Sequence, residues 1–480
     1  MVFTKKNWKW ATAVAATLVT PLSALATNGM NLEGYGPIAT GMGGASMAYD
    51  NGAAAVMNNP ATLGLMSEGS RFDGALGLLG PNITSKMNGQ PDAESSADAF
   101  YMPAFGWVRR NGSMAYGVGM FGQGGMGTEY AGDSFLAAGS GETVRSEVSV
   151  GRLIAPLVFQ VAPNINIGGS LDFVWAGMDL KMALAGSQFG DMMPTGSQSN
   201  GTVSGSMVNT FGGALSGGML TGVNWARFDF SNGSDFTGEA KGEGFAGKLG
   251  GTFKVSDQLT LGVTYHSKTA LSDLDTDNAK VSMNVVGPAT GGTPMTVNVT
   301  GKIEVKDFEW PQMFAFGAAF NASDALMLVA DYKWIDWSDS MKNFKMTFTA
   351  DQTQSDPLAA GFGLGGTSMD AVLYQDWDDQ NVIMLGAAYK MSDEFTLRGG
   401  VNLADNPVPD QYVNPLFPAI IKTHLMLGAG FGLSKVSTIN ASLTYAPEVE
   451  VTNPGSPAVG DEVTMTHSQT NAQIMYSYRF

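Results

Sequence analysis

The strongest candidates for binding a charged group are four basic residues that lie in segments of alternating polarity: Arg398, Lys333, His266 and Lys268. Each occupies the parity of the small or polar face. In an enclosed space of low dielectric, a cation of this kind can bind a carboxylate, and arginine can do so with two hydrogen bonds. Alternatively, these cations pair with acids such as Asp331 and hold strands together, because buried charges are usually paired. The pattern leaves both roles open.

Residues that could support catalysis are sparse. The chain has no cysteine, which excludes thiol chemistry, and its three histidines, His266, His424 and His467, show no Ser-His-Asp order. Gly117, Gly119 and Gly122 match a dinucleotide-binding pattern, but no βαβ unit surrounds them. We therefore predict that the protein is not an enzyme and needs no cofactor or metal.

The composition favours an exported membrane protein. The formal net charge of −17 argues against a nucleic-acid partner, and charged residues make up only 14% of the chain. Three early lysines, an apolar run over residues 10–22 and the sequence Ala24-Leu25-Ala26 predict a signal peptide over residues 1–26, cleaved after Ala26. No later run of about 18 apolar residues predicts a transmembrane helix.

Alternation with a period of two recurs along the chain, for example over residues 259–266, 395–403 and 439–445. It is typical of strands with one apolar and one polar or small face. In a membrane barrel the apolar face contacts lipid and the other face lines the lumen. If the chain forms such a barrel, the side chains of Asp172, Asp331 and the four basic residues point into the lumen.

The spacing of breaks distinguishes a membrane barrel from a soluble sandwich. Six short polar breaks lie at residues 110–113, 163–166, 256–258, 321–325, 392–394 and 434–437. Seven longer irregular segments alternate with them, at residues 81–97, 122–145, 183–242, 271–300, 338–380, 405–421 and 448–462. Outer-membrane barrels have short periplasmic turns and long extracellular loops, so we predict an all-β antiparallel barrel of about 14 strands.

The segment over residues 38–66 carries a family resemblance. It contains Gly41, Gly43 and Gly44 before Ala45, and then Asn59-Pro60-Ala61. These motifs resemble the N-terminal hatch of the outer-membrane long-chain fatty acid transporter (FadL-type, OmpP1/FadL/TodX) family. Residues 395–432 and 329–338 resemble the same family, and Arg398 matches an arginine of its motif.

The resemblance implies a hatch of short helices and coil over residues 27–69, lying in the lumen of a barrel formed by residues 70–480. In the family, the Asn-Pro-Ala motif contacts a kink in the third strand, where the wall opens sideways. Here that strand is followed by Gly122, Gly124 and Gly125, and glycine weakens strand pairing. The gate residues implied are therefore Asn59, Pro60, Ala61 and these three glycines.

The function expected is passive uptake of long-chain fatty acids or similar hydrophobic molecules. The steps expected are capture by the loops, binding in a lumenal pocket near an inward cation, and lateral release through the kinked strand. Apolar loop residues are the candidates for capture: Met192, Met193, Phe211, Met219 and Leu220. Three alternatives stay open, namely an importer of aromatic hydrocarbons, a surface adhesin or phage receptor, and a general porin.

The expected location is the outer membrane of a Gram-negative bacterium. We expect a monomer in contact with outer-membrane lipid and lipopolysaccharide. The last residues alternate aromatic with polar side chains and end at Phe480, which resembles the signal read by the barrel-assembly machinery.

Overall fold

A computed structural model describes residues 28–234, 237–456 and 460–480. The predicted signal peptide therefore lies outside the described residues. Within them, 22 strands belong to one sheet. In chain order they are β1 (Gly69–Met87), β2 (Ala93–Glu94), β3 (Phe100–Asn111), β4 (Met114–Tyr130), β5 (Val144–Ala162), β6 (Ile165–Ala185), β7 (Gly201–Ser204), β8 (Gly222–Phe230), β9 (Ala240–Lys254), β10 (Leu259–His266), β11 (Ala270–Leu271), β12 (Leu274–Val286), β13 (Met295–Lys306), β14 (Met313–Asn321), β15 (Leu326–Ile335), β16 (Asn343–Ala350), β17 (Ser368–Tyr374), β18 (Gln380–Lys390), β19 (Phe395–Ala404), β20 (Thr423–Gly432), β21 (Ser437–Asn453) and β22 (Val463–Arg479).

Helices are short. The α-helices are α1 (Pro37–Thr40), α2 (Gly186–Met192), α3 (Ser206–Ser216), α4 (Trp337–Ser340) and α5 (Pro357–Gly361). The 3-10 turns span Gly52–Val56, Pro60–Leu65, Phe135–Ala137, Pro288–Thr290 and Asp410–Tyr412. Among the described residues, no helix combines the length and the apolar character needed to cross a bilayer.

The sheet closes on itself through antiparallel pairs, and β1 pairs with both β3 and β22. From β3 the circuit passes through β4, β5, β6, β9, β10, β14, β15, β18, β19, β20 and β21 to β22. All six short breaks identified in the sequence join neighbours in this circuit, so the predicted closed barrel is confirmed.

The predicted number of about 14 strands was too low, because β8 and β12 join the fourteen strands of this circuit between β6 and β9 and make the barrel sixteen-stranded. Beyond its pairing with β9, β6 pairs with β8, β8 pairs with β12, and β12 meets β9 at Asp275 and Lys241. These two strands come from segments that were interpreted as irregular loops. From β12 the sheet continues outward through β13, β16, β17 and β7, and these strands bury apolar side chains above the barrel.

The two faces of the wall follow the predicted parity. On β10, Leu261, Val263 and Tyr265 are 41%, 41% and 39% exposed, whereas Thr264 and His266 are buried. The exposed apolar side chains therefore lie on the outer face, where a bilayer would cover them.

We call the first described residues, 28–66, the N-terminal segment. It hydrogen-bonds strands on opposite sides of the ring: Asp331 of β15 accepts from the backbone N–H groups of Ser46 (2.5 Å) and Met47 (3.0 Å), and Asp73 of β1 accepts from Ala53 (2.7 Å). The N-terminal segment therefore connects strands that lie far apart along the closed circuit.

The carboxylate of Asp331 is expected to hold the N-terminal segment in place. Replacing it in Asp331→Ala leaves two buried N–H groups without an acceptor, at a cost of about 1–3 kcal/mol for each group. We expect amide hydrogen exchange at Ser46 and Met47 to become at least about tenfold faster. Asp324→Ala, in an exposed turn, is the control, and equal exchange in both variants would contradict this role.

Candidate functional site

The wall of the barrel is interrupted between β3 and β4. Their pairing ends at Phe105 and Met120, although β3 begins five residues earlier and β4 continues to Tyr130. Farther up, the backbone N–H of Ser96 donates to the Glu129 carbonyl (2.8 Å), which closes the upper end. We call the unpaired stretch between residues 100–104 and 121–129 the window.

A bulge in β4 forms one side of the window. The register with β5 shifts between Gly122 and Gly124, so Gln123 is an extra residue. Its carbonyl oxygen accepts hydrogen bonds from the Tyr35 hydroxyl (2.6 Å) and the Leu32 N–H (3.4 Å), both in the N-terminal segment. Burial raises the pKa of Tyr35 above its usual range, so the hydroxyl keeps the proton that it donates.

The Gln123 side chain is bound to a buried charged network. Arg152 of β5 donates to its amide oxygen (2.5 Å) and also to Asp172 (2.9 Å) and Thr269 (2.7 Å). Lys248 of β9 forms a second ion pair with Asp172. The bulge is therefore fixed from both sides, by the N-terminal segment and by a paired set of charges.

The glycines of the bulge differ in what they allow. A Cβ atom at Gly124 would lie 2.0 Å from the Met30 carbonyl oxygen, and one at Gly125 would lie 2.2 Å from the Val148 carbonyl oxygen. At Gly122 it would meet only the terminal methyl group of Met102, at 2.5 Å. Gly124 and Gly125 are thus required by close backbone approach, whereas Gly122 makes room for a flexible side chain.

Three cavities that share lining residues lie in a row from the long segments to the window, and we call this row the path. An outer cavity of about 820 Å³ lies among the long segments, a narrow passage of about 20 Å³ lies below it, and a lateral cavity of about 250 Å³ lies behind the window. Met182 and Leu416 line both the outer cavity and the passage, and Met30 and Val148 line both the passage and the lateral cavity.

The walls of the path are mainly apolar. Four methionines and three phenylalanines narrow the passage: Met30, Met178, Met182, Met341, Phe308, Phe344 and Phe417. Methionine side chains adapt to varied apolar shapes. Met30 of the N-terminal segment lines the passage, and its carbonyl oxygen accepts a hydrogen bond from the Gly125 N–H (3.1 Å). The passage and the bulge are therefore joined through Met30.

The family model described as outer membrane protein transport protein (OMPP1/FadL/TodX) matches residues 13–480. The chain belongs to this family. Its barrel is therefore that of an outer-membrane protein, and the family resemblance seen in the N-terminal motifs is confirmed.

Solved structures of two toluene transporters resemble this family member over nearly its whole length. TodX of Pseudomonas putida is 29% identical, with a TM-score of 0.77, and the match covers 94% of this chain and 99% of that one. TbuX of Ralstonia pickettii is 29% identical, with a TM-score of 0.73 and the same coverage.

An uncharacterized protein of Chlorobium limicola, encoded in the 5′ region of the phosphoenolpyruvate carboxykinase gene, is 53% identical over 77 residues. That match covers 16% of this chain and 37% of the relative, so the chain spans less than half of that curated relative.

The four basic residues predicted to bind ligand do not line these three cavities. Arg398 donates to Asn440 (3.1 Å), His266 bonds the Asn58 carbonyl oxygen (2.8 Å), and Lys268 forms ion pairs with Asp339 and Glu309. Lys333 lies on the inner face beside Asp331. Their contacts favour the structural alternative, and ligand binding by any of them stays a prediction.

Within the described residues, the side-chain hydrogen bonds of the Asn59-Pro60-Ala61 motif go to β9 and to the N-terminal segment itself, and not to the bulge. Asn59 donates to the carbonyl oxygens of Met47 (2.8 Å) and Gly251 of β9 (3.3 Å), and it caps the turn that Pro60 begins. The hydrogen bonds to the bulge come instead from Met30, Leu32 and Tyr35. No signal in the sequence identified these three residues or Gln123.

The capture residues expected in the loops are mostly buried. Met192, Met193, Phe211 and Leu220 are each less than 9% exposed, and only Met219, at 49%, is open to solvent. The four buried side chains belong to the apolar core above the barrel, where α2 packs against β8 and α3 packs against β7 and β17. Met192 alone among them lines the outer cavity.

Gly124→Ala is expected to detach the N-terminal segment from the bulge. The added methyl group cannot coexist with the Met30 carbonyl, so the bond from Gly125 N–H is lost and its exchange accelerates by about tenfold. Gly122→Ala is the matched control, since Met102 can rotate away. Peptide-level hydrogen exchange over residues 121–130 measures both, and comparable protection in the two variants would refute this assignment.

Proposed function

We propose that this protein is an outer-membrane channel for passive uptake of small hydrophobic molecules, with the N-terminal segment acting as its plug. A molecule enters the outer cavity, passes the methionine-lined passage and leaves sideways through the window into the bilayer. The interruption between β3 and β4 is the observation that carries the proposal, because it joins an apolar cavity directly to the lipid-facing surface. Downhill partition supplies the driving force.

The lining supports a neutral substrate over a fatty-acid anion. Carboxyl groups of Asp133, Asp191 and Asp461 line the outer cavity, and those of Glu33 and Glu147 line the lateral cavity. Among the described residues, no lysine or arginine lines any of the three cavities. Glu147 is already paired with Arg145, so a fatty-acid carboxylate would meet further carboxyl groups and find no lysine or arginine among the described lining residues to bind it.

The similarity to two toluene transporters supports the same choice. The proposed substrate class is thus a neutral hydrophobic molecule of the size of a monoaromatic hydrocarbon. Comparing uptake of labelled toluene and labelled oleate in cells with and without the protein tests it. Protein-dependent uptake of oleate but not of toluene would restore the fatty-acid alternative.

The general porin is tested by conductance. A passage of about 20 Å³ lined mainly by apolar side chains should not carry a hydrated ion current. Single channels in a planar bilayer are therefore expected to stay closed to salt, and stable porin-like conductance would contradict the proposed path.

Closing the window with a disulfide is expected to stop uptake. Ala104 and Phe121 are the next positions beyond the last paired residues, Phe105 and Met120, and the chain has no cysteine of its own. Oxidation of the double variant Ala104→Cys/Phe121→Cys extends the ladder by one position, because facing residues in antiparallel strands suit disulfide geometry. Toluene uptake should fall to the level of cells lacking the protein and recover on reduction.

The control places the same bond in the continuous wall, in Arg110→Cys/Ala115→Cys, whose positions pair directly. Its oxidation should leave uptake unchanged. If the window variant also keeps full uptake when quantitatively oxidised, lateral release is wrong.

A further inference from the structure

One end of the lateral cavity is polar, in contrast to the apolar window. His467 and Gln469 of β22 line it, together with Glu33 of the N-terminal segment. His467 and Glu33 are 2% and 0% exposed. An enclosed polar end in an apolar cavity is the arrangement that orients a ligand with a single polar group.

The hydrogen bonds at this end determine whether a ligand would have to donate or accept a hydrogen bond there. His467 Nδ1 lies 3.0 Å from the Pro418 carbonyl oxygen, which can only accept, so Nδ1 carries the proton. In a neutral imidazole the remaining nitrogen, Nε2, is then an acceptor. It is buried, and it has no hydrogen-bond partner among the described residues.

The carboxyl group of Glu33 adds a second acceptor. Its Oε1 atom receives a hydrogen bond from Asn471 (3.0 Å), whereas Oε2 is buried without a partner in the described part of the chain. A buried acceptor left without a donor destabilises the structure, and a ligand that brings the donor recovers that free energy. Gln469 donates to Asn471 (2.9 Å), and among the described residues no hydrogen bond joins it to Glu33 Oε2.

We infer that the lateral cavity recognises neutral hydrophobic molecules that carry one hydroxyl group, of the phenol class, with the hydroxyl donating to His467 Nε2 at the polar end. The ring lies toward Phe100 and Met102 at the window. This inference rests on the proposed function and narrows its substrate class. A hydrocarbon leaves both acceptors unpaired, whereas the hydroxyl pairs one of them, and a carboxylate brings a further acceptor and a negative charge close to Glu33.

Three probes of similar size separate these cases: p-cresol, toluene and p-toluate. We expect the full-length protein in lipid nanodiscs, measured calorimetrically against empty nanodiscs, to bind p-cresol most tightly and p-toluate least. In His467→Phe the ratio of p-cresol to toluene affinity should fall by about tenfold, the effect of losing one buried hydrogen bond. His467→Gln, whose amide oxygen is an acceptor, should retain most of the preference.

His424→Phe is the matched control, because His424 is an equally buried imidazole that does not line the cavity. Its affinity ratio should equal that of the unmodified protein. An unmodified protein without preference for p-cresol, or an equal loss in both phenylalanine variants, would overturn the inference. Toluene binding with no such preference leaves the proposed channel intact, whereas binding of none of the three probes refutes the channel itself.

Discussion

The structure depends on how the backbone of β4 is satisfied once β3 no longer pairs with it. In a bilayer there is no water to replace a missing ladder, so an open strand edge is excluded unless other protein groups supply the bonds. Here the N-terminal segment supplies several. Gly125 donates to Met30, and Gln123 accepts from Leu32 and Tyr35. The window can exist because the backbone of the N-terminal segment forms hydrogen bonds with β4 in place of part of the missing β3 ladder.

The same requirement explains why the segment is built from small residues. Gly43 approaches the carbonyl oxygens of Val401 and Leu385, and a Cβ atom there would lie 2.5 Å from the first. Gly43 also has a φ of 77°, which favours glycine. Backbone packed directly against the inner wall leaves little volume for side chains. It lets hydrogen bonds, which are directional, determine the position of the segment.

Much of the barrel could be predicted from the sequence, because alternation and turn residues are local signals. Leu261, Val263 and Tyr265 point outward as expected, and all six short turns were located. Strands β8 and β12 were missed because they lie inside long segments that were interpreted as irregular loops, although Val281, Met283 and Val285 alternate with polar residues. The side chains of Met192 and Phe211 were misplaced for a related reason: apolar loop residues look exposed until the elements that cover them are known.

The site was less accessible to sequence reasoning, because its important contacts join residues far apart in the chain. Nothing local distinguishes Gln123 within a glycine-rich run, and its partners Tyr35 and Arg152 lie 88 and 29 positions away. The four basic residues were chosen for their charge, which is a local property. Yet charges inside a barrel of low dielectric need partners before any ligand arrives. Arg152, Asp172 and Lys248 meet that need with one another, so the path to the window is left to apolar side chains and to carboxyl groups. The same pairing that stabilises the wall thus removes the cations from the route that a substrate would take.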